Sequence, residues 1–170
     1  MPNNKNKILA IDPGTREMGV ALFDKGKLIY HGVKVGRDKE KAPDEKLREA
    51  RKIVLRMIRD FKPQLLVVEK TFFANNRNAS LLNVLFDEMK VMAKRKGLRF
   101  VSYAPNTVKK WICGNGHASK MEVARAVVAK YPELKVYLTQ DRAWKEEYHQ
   151  NMFDAVALGM MALAAKARKS

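Results

Sequence analysis

The chain predicts an α/β domain of three layers, a mixed five-stranded sheet flanked by helices. Three observations carry this. Apolar runs of strand length recur along the chain, and two of them close on an acid, Ile8-Leu9-Ala10-Ile11 on Asp12 and Leu65-Leu66-Val67-Val68 on Glu69. An early block of alternating segments turns through Asp24-Lys25-Gly26-Lys27, a hairpin signal. Later runs are separated by stretches of helical periodicity, giving the order β-β-β-α-β-α-β-α. With 170 residues and 46% apolar content, the chain is sized for one domain over residues 1–170.

The elements follow in order. Residues 7–11, 18–23 and 28–35 read as an antiparallel meander. Leu47, Ala50, Val54, Ile58 and Phe61 recur at helical spacing and Pro63 ends the stretch, so 45–60 reads as an amphipathic helix leading into a strand at 65–69. Residues 79–96 carry two apolar rows, Leu81, Leu85, Met92 and Leu82, Phe86, Met89, Ala93. That stripe is wide enough to face a sheet and a second subunit. Phe100 to Tyr103 is a fifth strand and Pro105 to Ile112 a short helix. A turn through Gly114 and Gly116 follows, and Ser119-Lys120-Met121-Glu122 has the form that caps a helix start. Residues 132–147 lack periodicity and read as a loop; 148–165 read as a largely buried last helix. Trp111 is expected as a core anchor, Trp144 as a loop anchor, and Cys113 as a small packed apolar residue.

Lys and Arg number 34 against 18 Asp and Glu, a formal charge of +16. The basic residues lie in Arg48–Lys52, Lys90–Lys96, Lys109-Lys110 and Lys166–Lys169, so the charge belongs to the folded body and points to a polyanion, nucleic acid before membrane. The longest near-continuous apolar run, Ala155 to Ala165, is short of the roughly 20 residues that span a bilayer, and the Asn- and Lys-rich start lacks a signal-peptide core. The expected location is cytoplasmic. A single cysteine excludes an intrachain disulfide and a multi-cysteine zinc site.

Asp12, Glu69 and Asp154, the last entering Ala155-Val156-Ala157-Leu158, are the candidate site. Three carboxylates brought together without a cation would cost several kcal/mol or hold one acid protonated, and a hard divalent ion removes that cost. Simpler readings exist for two of them: Asp12 before Pro13-Gly14 as a turn former, and Glu69 as a surface ion-pair partner of Lys70 or Arg77. Asp154 within an apolar helix must be neutral or coordinated.

Five segments in order resemble the RuvC family of Holliday-junction endonucleases, of the RNase H-like superfamily. Ile11-Asp12-Pro13-Gly14-Thr15 with Gly19 resembles its first motif and Val68-Glu69-Lys70-Thr71-Phe72 its second. Tyr103-Ala104-Pro105-Asn106-Thr107-Val108-Lys109 and Gly114-Asn115-Gly116-His117-Ala118-Ser119-Lys120 resemble the segments before the final catalytic helix, and Asp154-Ala155-Val156-Ala157-Leu158 resembles the last motif. The resemblance implies an RNase H-like fold and a structure-selective endodeoxyribonuclease that resolves four-way DNA junctions by paired nicks. It implies two Mg²⁺ ions, with Mn²⁺ as a substitute, held by Asp12, Glu69, Asn151 and Asp154. Lys120 would lie near the scissile phosphate, with Lys109 and Lys110 on the backbone. Phe72 or Phe73 would stack on an unpaired base, and Asn75, Asn76, Arg77 and Asn78 would supply polar DNA contacts. Partners implied are branched DNA, a second copy of the chain through helix 79–96, and a branch-migration motor.

One position departs from the pattern. The family's last helix presents Asp or His three residues before its final Asp, and here that residue is Asn151. Its carbonyl oxygen is a ligand without charge. A natural variant with a looser second metal, an inactivating substitution that traps a bound state, and a diverged chain that binds without cutting are the three accounts. Cleavage of other branched DNA or of structured RNA is the alternative among nucleases. His149, five residues before Asp154, lies nearly opposite it on a straight helix and is a poor substitute.

Overall fold

The computed structural model describes residues 6–36, 41–70, 77–138 and 143–169, with backbone alone at 77–79 and 143–148. Strands β1 (Lys7–Asp12), β2 (Glu17–Asp24), β3 (Lys27–Val35), β4 (Leu65–Glu69) and β5 (Arg99–Tyr103) form one sheet in the order β3-β2-β1-β4-β5. β1, β2 and β3 pair antiparallel, while β4 joins β1, and β5 joins β4, in parallel. The β2–β3 turn places Lys25 at φ 50° and Gly26 at φ 81°, two left-handed residues whose twist suits a tight hairpin.

The side-chain period of two divides the strands between two cores. Ile8, Ala10, Ala21, Phe23, Leu65 and Val67 face α3 (Pro105–Cys113), α4 (Lys120–Lys130) and α6 (Ala143–Arg168). Leu9, Ile11, Val20, Leu22, Leu66 and Val68 face α1 (Pro43–Phe61) and α2 (Arg77–Arg95). The result is the expected three-layer arrangement with a mixed five-stranded sheet.

Helix α6 lies across β2 and β1, and two glycines set its height over the sheet. A Cβ on Gly19 would sit 1.8 Å from the backbone oxygen of Asn151, and one on Gly159 would sit 2.1 Å from the Phe23 ring. Only a residue without a side chain permits approach at either point.

Three expectations need correction. The described part of 132–147 is not simply a loop: a 3-10 turn at Pro132–Leu134 runs into the short helix α5 (Lys135–Leu138), and α6 begins at Ala143, ahead of the expected 148. Segments of three and four residues are too short to show a period, and Leu134, fully buried, is what pins them. Trp111 is 36% exposed, because the apolar side of α3 is taken by Val108 and Ile112 and Trp111 falls on the other side. On α2, Leu85, Met89, Met92 and Ala93 are consumed by the chain's own core, shared with α1 and the sheet. The apolar side chains left in solvent are Val84 and Val91, which belong to neither expected row. Cys113 is partly buried against the α3–α4–α6 core, as expected of a packed thiol.

Candidate active site

Two of the acids are placed by strand pairing. β1 and β4 run parallel with Ile11 opposite Val68, so Asp12 and Glu69 end adjacent strands side by side, about 5 Å apart along the sheet. β1 has an antiparallel neighbour on one side and a parallel one on the other, so both acids emerge at the carboxyl ends of the strands where open sheets bind ligands. The third acid comes from α6. Asp12 pairs with Gly19 across β1 and β2, and Gly19 is where the Asn151 backbone touches down. Asp154, one turn on, is thereby brought to the same end of the sheet.

A cavity of about 430 Å³ opens there, walled by Glu69, Asp154, Lys109 and Lys120 over Pro105, Val108, Val123 and Ala157. Lys120 opens α4, whose cap is complete: the Ser119 hydroxyl accepts from the Glu122 backbone N–H at 3.2 Å, and Glu122 accepts from the Ser119 N–H at 2.6 Å. Rigid capping fixes where Lys120 leaves the backbone. α3 starts at Pro105 and brings Lys109 to the opposite wall, while Lys110 is exposed beyond it.

Burial dominates the electrostatics. Asp12 is held well above the usual carboxylate range by burial, then by Glu69 and Asp154, with Lys120 opposing. Glu69 is pushed up to about 7 by burial and by Asp154, against Lys109. Asp154 is raised by burial and held back by a hydrogen bond from Gln150, whose Nε2 donates to Oδ1 at 2.9 Å, and by Lys120 and Lys109. Gln150, 7% exposed, was missed in the sequence reading although its signal was there, four residues before Asp154 on one helix face.

Among the described residues, no three Asp, Glu, His or Cys side chains form a ready-made cage around one ion. The three acids are neighbours in pairs, Asp12 with Glu69 and with Asp154, and Glu69 with Asp154. The donor set fits hard divalent cations: carboxylate oxygens, desolvated and mutually repelling, with Lys120 insufficient to bring Asp12 back to its usual range. Asn151 lies half-buried on α6 one turn before Asp154. His149 does not replace it. Its ring packs 4.8 Å from Tyr137, which in turn meets His31 edge-on at 5.7 Å.

The expected DNA contacts Phe72, Phe73, Asn75 and Asn76 lie outside the described residues, as do the side chains of Arg77 and Asn78.

A family model described as crossover junction endodeoxyribonuclease RuvC matches residues 8–143, four-fifths of the chain. The chain belongs to the RuvC family. The matched segment contains Asp12, Glu69, Lys109 and Lys120 and stops before Asn151 and Asp154. Among RuvC relatives, that of Prochlorococcus marinus is 35% identical over 72% of this chain and 80% of its own length. The Rickettsia prowazekii RuvC is 28% identical over 94% of this chain and 98% of its own. The fold is shared with Thermus thermophilus RuvC, solved in complex with a Holliday junction substrate, at a TM-score of 0.70, 22% identity and 95% and 96% coverage of this chain and that one. It is shared too with the yeast mitochondrial Holliday junction resolvase Ydc2, at 0.69, 15% identity, and 97% and 81% coverage.

Proposed function

We propose that the chain, as a single nuclease domain over residues 1–170, is a metal-dependent crossover junction endodeoxyribonuclease that resolves four-way DNA junctions by paired nicks, in recombination and repair. The observation that carries this reading is the desolvated cleft in which Glu69 and Asp154 face Lys109 and Lys120, with Asp12 buried against both acids. A formal charge of +16 matches the polyanionic substrate.

In this reading Asp12, Glu69, Asp154 and Asn151 would hold two metal ions. Mg²⁺, or Mn²⁺ in its place, would supply an activated water and stabilise the leaving 3′ oxygen. Lys120 meets the scissile phosphate at the α4 N-terminus, where an ammonium and the positive end of the helix dipole both favour negative charge. Lys109 braces the strand from the facing wall. Pro105, Val108 and Val123 give that wall an apolar floor that limits water around the charges. Gln150 orients Asp154 and favours its ionised form.

Paired nicks ask for two active sites, hence a two-fold dimer. The α2 surface supports one: Val84 and Val91 are 41% and 48% exposed beside the Arg51–Glu88 ion pair, whose Nε donates at 2.8 Å. A cytoplasmic location and a branch-migration motor as partner belong to the same reading. Among the described residues no helix is long and apolar enough to cross a membrane.

The test is strand cleavage of a labelled immobile four-way junction with Mg²⁺, this chain beside its Asn151→Asp variant, with a flap, a linear duplex and an RNA hairpin as competitors. Symmetric nicks by both are expected, faster and at lower Mg²⁺ for the variant because it restores a charged ligand. Asn151 also favours a second reading, a junction-binding protein that does not cut. Tight, salt-sensitive junction binding with no product from either chain would establish it.

A further inference from the structure

Helix α3 separates two concavities. Its inner side sends Pro105, Val108 and Lys109 to the carboxylate cleft, and its outer side borders a second hollow of about 390 Å³ with Asn106, Thr107, Lys110 and Trp111. At 100° per residue these sets fall on opposite faces of the helix. The far wall is His117 in the turn before α4, with Met161 of α6 at the end. The turn is built firmly: the His117 N–H donates to Asn115 Oδ1 at 2.9 Å, and a Cβ on Gly116 would stand 3.3 Å from the Asn106 carbonyl oxygen. His117 is three residues before Lys120, so one short segment walls the outer hollow and then enters the cleft.

We infer that this outer hollow is a second nucleic-acid subsite, in which the Trp111 indole stacks on a base or sugar of the strand leaving the cleft and Lys110 neutralises the adjoining phosphate. Its lining holds a large exposed aromatic, an ammonium, an imidazole, an amide and a hydroxyl, and no acid. Exposure of 36% leaves a tryptophan, the residue with the largest stacking surface, open to solvent beside Lys110. Charge complementarity selects an anionic partner, and the aromatic beside Lys110 selects one with flat unpaired faces, as at a strand crossover. The inference rests on the junction-nuclease reading for which strand is bound, while the stacking itself is measurable alone.

The chain has two tryptophans, so Trp144→Phe leaves Trp111 as the only one. Its emission is followed on adding a single-stranded oligonucleotide and, separately, an immobile junction held uncut with Ca²⁺. Quenching by both is expected. Trp111→Ala should then weaken junction binding roughly tenfold, Trp111→Phe should recover most of that, and Lys110→Ala should lower the salt slope of binding by about one. Melting curves check that each variant is folded. Unchanged emission at saturation, with Trp111→Ala binding DNA as well as the parent, would overturn the inference. A chain that cuts junctions with an unresponsive Trp111 loses this subsite and keeps the nuclease reading. One whose Trp111 responds to oligonucleotide without any preference for junctions keeps the subsite and loses the junction reading.

Discussion

Replacing Glu69 by Gln should make the metal-free protein more stable while removing its activity. Burial and the Asp154 charge raise the Glu69 pKa from 4.5 to about 7 in the folded state. The folded protein therefore holds this proton more tightly than the unfolded chain does. Between those two values stability falls as pH rises, and above the folded value the whole penalty is present. At 1.36 kcal/mol per unit, the ionised carboxylate costs the fold about 3 kcal/mol at pH 8. Gln has nearly the same shape and no charge, so E69Q should exceed the parent by up to about 3 kcal/mol at pH 8 in EDTA, several degrees in Tm for a chain of this size. Near pH 5, where the folded parent keeps the proton, the two should converge. Urea denaturation from pH 5 to pH 8 measures the difference. Adding Mg²⁺ at pH 8 should then stabilise the parent more than E69Q, because the cation binds the folded carboxylates. A difference that is flat across pH, or a parent more stable than E69Q at pH 8, would refute the account of Glu69 as a desolvated acid awaiting a cation.

Two further outcomes follow from the geometry. Gly19→Ala places a methyl group 1.8 Å from the Asn151 backbone oxygen, so α6 must lift from β2. The expected cost is about 1–3 kcal/mol by urea denaturation, with a loss of cleavage rate larger than that of stability, since Asp154 moves away from Asp12. Gln150→Ala removes the hydrogen bond that holds the Asp154 pKa down, so the acid limb of the cleavage–pH profile should move to higher pH. Unchanged profiles would mean that Gln150 has no hold on Asp154.

Most of the sheet was legible because alternation is a local property. Each strand reports its own two faces, and the parallel register of β1 with β4 turns two separately readable acids into neighbours. What was not legible depends on what lies opposite. Gly19 and Gly159 are visible in the sequence, but that one meets the Asn151 backbone and the other the Phe23 ring is a property of how α6 is laid down. The same limit applies to α2, where apolar rows could be counted but not assigned: the core took Leu85 and Met89 and left Val84 and Val91 outside. Trp111 makes the point most directly. An aromatic on a short helix is by composition a core residue, and only the knowledge that Val108 and Ile112 already fill the inner side places it in solvent beside Lys110. Local pattern thus positions the carboxylates of the cleft, which sit at the ends of readable elements. The features that set their spacing and their surroundings, a glycine contact, a glutamine one turn away and an outward tryptophan, are decided by packing between elements far apart in the chain.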